Sequence, residues 1–338
     1  MGQPAEVIHV KFDSTSRFKF PKWIFVILLI PLLGLGVGFV AMLAGFAPLF
    51  LSNKKSSSSS SSRPFGGSWS EPSFANVVLK FGSQGIGPGM FNDARSIAVD
   101  GSGNIYVGEY SGGRIQVFDS AGKFTMQWMA DQKMPLRGLA ADRKGNVYLV
   151  QSGKIQKVEG LTGKPLGEIA YTEGAGFDDI VSTPDGGFVC AWYRNRDDIV
   201  KFDADGKVVR TIKAAISSVT DRSELSTRLA VDGLGNIFAL GSFNNAIFKF
   251  GSDGKYINRF GGQGSQEGQL QAPMSIAVDG KGRVFVSDMK GVQMFDGDGR
   301  YLGVFKPDGG HASGMIFNDK NEMFVVDRTK VLKLQLKE

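Results

Sequence analysis

The chain is poor in the residues that form covalent cross-links or metal centres. It has one cysteine, Cys190, and two histidines, His9 and His311, among its 338 residues. A single cysteine excludes an intrachain disulfide and a Cys-rich zinc site, and two histidines cannot build a multi-His metal centre. Proline is also sparse, at 12 residues, and no Gly-X-Y period is present, which excludes a collagen-like chain.

Glycine, by contrast, is abundant. The 46 glycines are about twice the usual share of a chain of this length. They stand among many Val, Ile, Phe and Tyr residues, so the composition indicates short strands joined by tight turns. With 42% hydrophobic and 21% charged residues, the chain is not disordered throughout.

The net charge of +6 is distributed unevenly. Residues 1–63 hold seven Lys or Arg and two acidic residues, whereas residues 64–338 hold 32 basic and 31 acidic residues. The basic excess therefore belongs to the N-terminal part. The nearly neutral remainder argues against nucleic acid as a partner, because phosphate binding needs a basic face.

The N-terminal part is predicted to be a membrane anchor. Residues 23–51 contain no charged side chain and are long enough to span a bilayer, with basic residues on both flanks. We expect a short tail at 1–22, an uncleaved transmembrane signal anchor at 23–51 and a flexible Ser-rich linker at 52–73. The expected location is a single-pass protein of the cell membrane with its large domain outside the cytoplasm. Gly34 and Gly38 could let such helices associate into an oligomer.

The rest of the chain, 74–338, repeats one unit of about 44 residues. Six copies of an Asp-x-x-Gly-Asn-like turn mark it, although the third and sixth copies lose part of the pattern. The turns begin at Asp100, Asp142, Thr183, Asp232, Asp279 and Asn318. Each copy carries four short apolar runs, which is typical of one blade of a β-propeller.

Matched columns support this interpretation. The third run of each copy has an aliphatic residue at Ile115, Ile155, Ile199, Ile247, Val292 and Val331. The sixth copy has only three runs, and residues 75–81 resemble the fourth run at 256–260. We therefore predict an all-β, six-bladed propeller with four strands per blade, closed by a strand at 75–81 that completes the last blade.

The repeats resemble NHL repeats. The likeness is carried by 81–92, by the Ser-Ile-Ala-Val-Asp, Gly-Asn-Ile-Tyr-Val and Arg-Ile-Gln-Val-Phe-Asp strings of 96–119, and by a second copy at 260–279. It covers about residues 75–336 and implies the six-bladed fold. Such a likeness identifies a fold well and a function poorly.

The starts of the innermost strands should meet at one mouth of the central channel, together with the loops between blades. The charged residues there are Arg95, Arg137, Asp178, Asp179 and Arg228. A mixed ring of this kind could bind an anionic or zwitterionic ligand. A solvated channel wall is the competing interpretation.

Two other sets of residues attract attention. Glu109, Asp288 and Asp327 end second strands near the same face and are weak candidates for a metal such as calcium, although such acids more often accept N–H bonds in the next turn. Trp192, Tyr193, Arg194 and Arg196 form an unusual aromatic and basic segment, which resembles a binding hot spot or else is a longer connection.

No catalytic residues stand out, and no Gly-x-Ser-x-Gly motif is present. We expect a membrane-anchored, non-catalytic module that binds a protein or small ligand at the mouth and needs no cofactor. The alternative is a propeller hydrolase resembling the lactonases, with a metal in the central channel. A related lyase type depends on several histidines, and the predicted propeller contains only His311.

Overall fold

The computed structural model describes residues 73–194, 196–307 and 312–337. The predicted tail and membrane anchor, and all of the linker but its last residue, lie outside these residues. In the part of the chain that is described, no helix is long and apolar enough to span a bilayer.

The described residues are built from β-strands. In chain order these are β1 Ala75–Phe81, β2 Ser83–Gln84, β3 Met90–Phe91, β4 Ala94–Val99, β5 Ile105–Glu109, β6 Arg114–Phe118, β7 Phe124–Met129, β8 Gly138–Ala141, β9 Asn146–Gln151, β10 Lys154–Glu159, β11 Pro165–Ile169, β12 Phe177–Ser182, β13 Phe188–Trp192, β14 Asp198–Phe202, β15 Val208–Ile212, β16 Thr227–Val231, β17 Ile237–Gly241, β18 Ala246–Phe250, β19 Tyr256–Gly261, β20 Ser275–Val278, β21 Val284–Asp288, β22 Gly291–Phe295, β23 Tyr301–Phe305, β24 Gly314–Phe317, β25 Met323–Asp327 and β26 Lys330–Leu336.

Twenty-four of these strands form six antiparallel four-stranded sheets, as the repeat predicted, and β2 and β3 form a short parallel pair. Blades 1 to 5 are β4–β7, β8–β11, β12–β15, β16–β19 and β20–β23, and blade 6 is β24–β26 with β1. The innermost strands β4, β8, β12, β16, β20 and β24 contact one another in a closed ring. The all-β, six-bladed propeller with four strands per blade is therefore confirmed.

The six repeated turns share one hydrogen bond, from the N–H of the first residue to the carbonyl oxygen of the fifth, at 2.9–3.1 Å. In the full copies the Asp carboxylate adds further bonds. Asp100, for example, accepts the N–H groups of Ser102 and Asn104, each at 2.9 Å. Gly103 has a φ of +85°, a conformation that disfavours residues with a Cβ. The local sequence thus fixes where strands one and two of each blade meet.

The ring closes at blade 6. Strand β1 pairs antiparallel with β26, from Ala75 opposite Leu336 to Phe81 opposite Val331. Just before β1, the buried Phe74 packs on blade 5, with its ring 5.5 Å from that of Phe285. Pairing of the last and first strands leaves no open edge between the two ends of the ring.

The core consists of apolar clusters between adjacent blades. The matched third-strand column is fully buried, since its six residues are each at most 1% exposed. These side chains fill the wedges between sheets, so the sequence period and the packing period coincide. The rigid ring leaves one space along its axis, where the six innermost strands meet.

Candidate active site at the channel mouth

A cavity of about 620 Å³ occupies the propeller axis, and every innermost strand contributes to its wall. This volume is within the range of small-molecule sites. Contacts between neighbouring strands show that all six begin at the same end. For example, Arg137 before β8 contacts Asp178 of β12, and Ser313 before β24 bonds to Ala94 of β4. We call this end the mouth and the end with the six repeated turns the turn face.

Four arginines surround the mouth. All four line the cavity, and their side chains are between 25% and 59% exposed. They are Arg95, Arg137, Arg228 and Arg328. Three carboxylates pair with them, on Asp93, Asp178 and Asp179. Among the described residues, this group therefore carries one net positive charge when the carboxylates are ionised.

Arg228 is held in place from two neighbouring blades. Its Nη1 donates hydrogen bonds to the carbonyl oxygens of Arg137, at 3.0 Å, and Asp178, at 3.1 Å. The same Nη1 lies 3.5 Å from Oδ1 of Asp179. Within the described part of the chain, both hydrogen bonds of this guanidinium come from Nη1, and none comes from Nε or Nη2. The guanidinium is thus fixed in position with donors left for a ligand.

The carboxyl group of Asp179 lies in the cavity wall and has a raised pKa. A β-bulge in β12 lies between Phe177 and Asp179, and Asp179 joins the cavity wall while Asp178 is buried. Burial raises the pKa of Asp179 to about 6, although Arg228 and the N–H of Leu229, 2.8 Å from Oδ2, act in the opposite direction. A carboxyl group of this kind can accept and return a proton near neutral pH.

The other charges at the mouth form a second cluster around an aromatic ring. Arg95 makes a two-pronged pair with Asp93, at 3.0 and 2.7 Å, and its guanidinium lies 4.1 Å from the ring centre of Tyr110. Arg137 lies 5.9 Å from the same ring and 3.3 Å from Oδ1 of Asp178. Tyr110 therefore spaces Arg95 and Arg137 on adjacent blades.

The structure brings the five predicted mouth residues together. Sequence reasoning missed Tyr110, Arg328 and Asp93. Tyr110 and Arg328 each follow a second strand by one residue, after Glu109 and Asp327. The sequence signal for both is their position, one residue after an acid that ends a second strand.

The predicted hot spot around Trp192 is corrected. Trp192 ends strand β13 and is only 3% exposed, packed near Tyr171 with ring centres 6.2 Å apart. An apolar indole at this position fills the blade 3 core, so it cannot anchor a partner at a loop tip. Of its neighbours, Tyr193 and Arg194 are exposed and do not line the channel cavity.

Arg196 is committed to a local network. It pairs with the fully buried carboxylate of Asp198, at 2.7 Å, and with Glu173, at 2.9 Å. Lys213 bridges the same two acids, at 3.3 and 2.6 Å. The two cations satisfy the two carboxylates, which indicates that this cluster fixes the connection after β13.

The three weak metal candidates do not converge. Glu109 pairs with Arg114 at 2.7 Å and accepts the N–H of Asn92 at 2.6 Å. Asp288 accepts the N–H groups of Gln271 and Lys290, at 3.0 and 2.8 Å. The third acid pairs with a lysine: Asp327 lies 3.1 Å from the Nζ atom of Lys330. Each of the three carboxylates therefore interacts with groups around it and not with the other two.

The residues at the mouth also do not fit a divalent cation. The described residues contain no group of three or more His, Cys, Asp or Glu side chains that could hold a metal ion. Calcium sites need six to eight oxygen ligands. Here the carboxylates are already paired with guanidinium groups, whose charge repels a cation. The metal of the lactonase-like alternative therefore has no suitable ligand set in the described residues.

No family model and no curated protein matches the sequence. Solved structures do resemble the fold. A gluconolactonase from Xanthomonas campestris superposes with a TM-score of 0.58 at 15% identity, covering 78% of this chain and 99% of that one. A streptogramin B lyase superposes with a TM-score of 0.54 at 12% identity, covering 77% of this chain and 98% of the lyase. The WD40 propeller domain of Doa1 superposes with a TM-score of 0.53 at 12% identity, covering 78% of this chain and 98% of that domain.

Likeness at such low identity shows the propeller fold alone. Even so, these neighbours correct the expectation of a non-catalytic binding module, because two of the three are enzymes built on this fold. That expectation rested on the lack of a recognisable catalytic motif, and a channel-mouth site assembled from separate blades leaves no such motif. The enzyme alternative is better supported.

Proposed function

We propose that the protein is a hydrolase that opens a carboxylic ester or lactone at the channel mouth. One observation carries the proposal: Asp179, with its pKa raised to about 6, lines a cavity beside the fixed guanidinium of Arg228. A base with this pKa is ionised at neutral pH, and a neighbouring fixed cation can stabilise an oxyanion.

The reaction needs no group beyond these side chains and water. Asp179 takes a proton from a water molecule as the water oxygen adds to the carbonyl carbon, and Arg228 donates hydrogen bonds to the resulting oxyanion. When the tetrahedral intermediate collapses, the C–O bond to the alcohol breaks, and Asp179 returns its proton to the alkoxide. The products are an alcohol and a carboxylic acid, or one hydroxy acid from a lactone, and the acid then releases its proton to the solvent and becomes a carboxylate.

The arginines favour anionic species over neutral ones. Arg137 and Arg328 each lie near a carboxylate of the mouth but keep exposed guanidinium surface, which can hold a carboxylate of the substrate or of the acid that is formed. The net positive charge of the mouth also raises the local concentration of anions. No step is assigned to a metal, because the described residues offer no suitable ligand set.

The similarity to a gluconolactonase supports ester-bond chemistry on this scaffold, and the NHL-like repeats describe the ring that carries it. We also retain the anchor as part of the proposal. The charge-free segment 23–51 would hold the enzyme to the cell membrane, with the propeller outside the cytoplasm.

The test is turnover by the full chain, purified in detergent. Acid release from a panel of aliphatic and sugar lactones and 4-nitrophenyl esters would be followed at constant pH. We expect Asp179→Asn to lower kcat/KM by about 100-fold or more. Asp253→Asn makes the same chemical change at an exposed turn and should leave the rate unchanged. Equal rates for the wild type and Asp179→Asn across the panel would refute the proposal.

A further inference from the structure

The side chains that line the cavity change from charged at the mouth to mostly apolar further in. The innermost strands begin at the mouth, so residues later in each strand lie deeper. On β16, Arg228 is at the mouth and Val231 lies three residues further, about 10 Å deeper at the usual rise of a strand. The charged side chains of the wall lie at the mouth end, and none lies in the last two residues of an innermost strand among the described residues.

The side chains that line the deeper wall are mostly apolar. Val181, Val231, Val278, Ile316 and Phe317 line it at the ends of four innermost strands. Each is half-buried, and each packs on an inter-blade core cluster while it keeps surface open to the cavity. Among the described residues at this depth, Ser182 is the one with a side-chain hydroxyl in the cavity wall. We call this region the shaft.

The shaft ends before the turn face. No residue of the six repeated turns is part of the cavity wall in the described chain. The turns also contact one another. Arg143 of blade 2 pairs with Asp319 of blade 6 at 3.1 Å, and the N–H of Gly280 in blade 5 bonds to Asn321 in blade 6 at 2.7 Å. A ligand would therefore enter at the mouth and extend downward.

We infer that the site takes an amphiphile, with its ester or carboxylate at the arginines and an apolar acyl chain in the shaft. This deepens the proposed hydrolase and rests on it for the reaction, but not for binding. An acyl chain gains free energy for each methylene moved out of water. A polyol such as a sugar acid would lose water from its hydroxyl groups against Val, Ile and Phe side chains that cannot hydrogen-bond.

Product analogues test the inference without any turnover. Calorimetry with the full chain would compare butyrate, octanoate and gluconate below their micelle-forming concentrations. Each buried methylene gives about fourfold in affinity, so octanoate should bind on the order of 100-fold more tightly than butyrate. Gluconate should bind no better than butyrate. The inference would be overturned if octanoate bound no more tightly than butyrate, or if gluconate bound more tightly than octanoate.

A blocked shaft gives the second test. Val231→Phe adds bulk in the shaft about 10 Å below the arginines. We expect it to abolish the preference for octanoate while butyrate binds within about threefold of the wild type. Val209→Phe makes the same change on the exposed outer strand β15 and should alter neither affinity. If Val231→Phe kept the full preference for octanoate over butyrate, the inference would be contradicted. If that variant does not fold, the comparison of butyrate with octanoate on the wild type still tests the inference.

The outcomes separate the two proposals. If octanoate binds tightly and no ester or lactone is turned over, the hydrolase proposal fails and the shaft inference stands. If sugar lactones are turned over and octanoate binds no better than butyrate, the hydrolase stands and the shaft inference fails.

Discussion

The Nη1 atom of Arg228 lies 3.5 Å from Oδ1 of Asp179, and yet the pKa of this carboxyl group is raised to about 6. Burial of the carboxyl group outweighs the attraction of the guanidinium, which also donates to the carbonyl oxygens of Arg137 and Asp178. Asp178 itself adds a like charge. The result is a carboxylate that remains close to protonation, in contact with a cation that cannot move away.

The first prediction concerns stability. The folded-state pKa of Asp179 is above its ordinary value of 3.8, so the folded protein binds more protons than the unfolded chain between pH 3.8 and 6, and stability falls as pH rises through that window. At pH 8, Asp179→Asn should therefore raise the free energy of unfolding by up to ~3 kcal/mol, and at pH 3.5 by almost nothing. Urea unfolding at both pH values measures this.

Asp253→Asn is the control for that experiment. Asp253 is exposed and its pKa is lowered by the N–H and ammonium groups of Lys255, so its loss should give no gain at pH 8. A gain in the Asp179 variant that is equal at both pH values would show that the effect comes from packing and not from ionisation.

The second prediction is a pH–rate profile. The base form of Asp179 is required, so kcat/KM should rise with pH, reach half its maximum at about 6 and level off above 7. Arg228→Gln removes the favourable cation and should move the midpoint upward as well as lower the maximum. Arg300→Gln, at an exposed pair with Asp296, should leave the profile in place. A wild-type midpoint near 4 would be inconsistent with Asp179 as the base.

The third prediction concerns metal removal. The mouth combines four arginines with carboxylates that are already paired, and the described residues contain no metal-binding cluster. Activity should therefore persist after dialysis against EDTA, measured as the rate of acid release. Loss of activity that calcium restores would contradict this prediction and support the calcium-dependent alternative.

The fourth prediction tests ring closure. Phe74 precedes β1, is 8% exposed and packs on Phe285 and Phe305 of blade 5, at 5.5 and 6.1 Å between ring centres. Phe74→Ala should destabilise the propeller by about 3–5 kcal/mol, read from urea unfolding. Val78→Ala on the same strand, where the side chain is 51% exposed, should change stability by less than about 0.5 kcal/mol. Equal effects would mean that this contact does not help to close the ring.

The fifth prediction addresses the anchor. The full chain should fractionate with membranes and resist carbonate extraction. Leu33→Arg combined with Leu35→Arg should release it, because each arginine at the centre of a span costs about 3 kcal/mol. Ser58→Arg with Ser60→Arg adds the same charge in the linker and should leave the protein in the membrane fraction. Release of both variants, or of neither, would argue against residues 23–51 as the anchor.

Part of the candidate site could be read from the sequence. The repeat fixes which residues begin the innermost strands, and this placed Arg95, Arg137, Asp179 and Arg228 at one mouth. The repeat does not predict the role of Tyr110, because this residue lies just beyond its strand and its contacts with Arg95 and Arg137 form only when adjacent blades meet. The Trp192 interpretation was wrong because an aromatic residue beside arginines looks the same in sequence whether its ring points into a blade or out of it.

The sequence by itself determined the number of blades and which strand completes the sixth. Both depend on local information: a turn bond between residues four apart, a buried column every 44 residues or so, and one strand that matches a missing position. Only the tertiary structure decided which charges meet. Arg228 and Asp179 lie on neighbouring blades, far apart along the chain, and the pKa of Asp179 depends on how much water the packed ring excludes. Burial of that kind is a property of the closed ring, and no single repeat contains it.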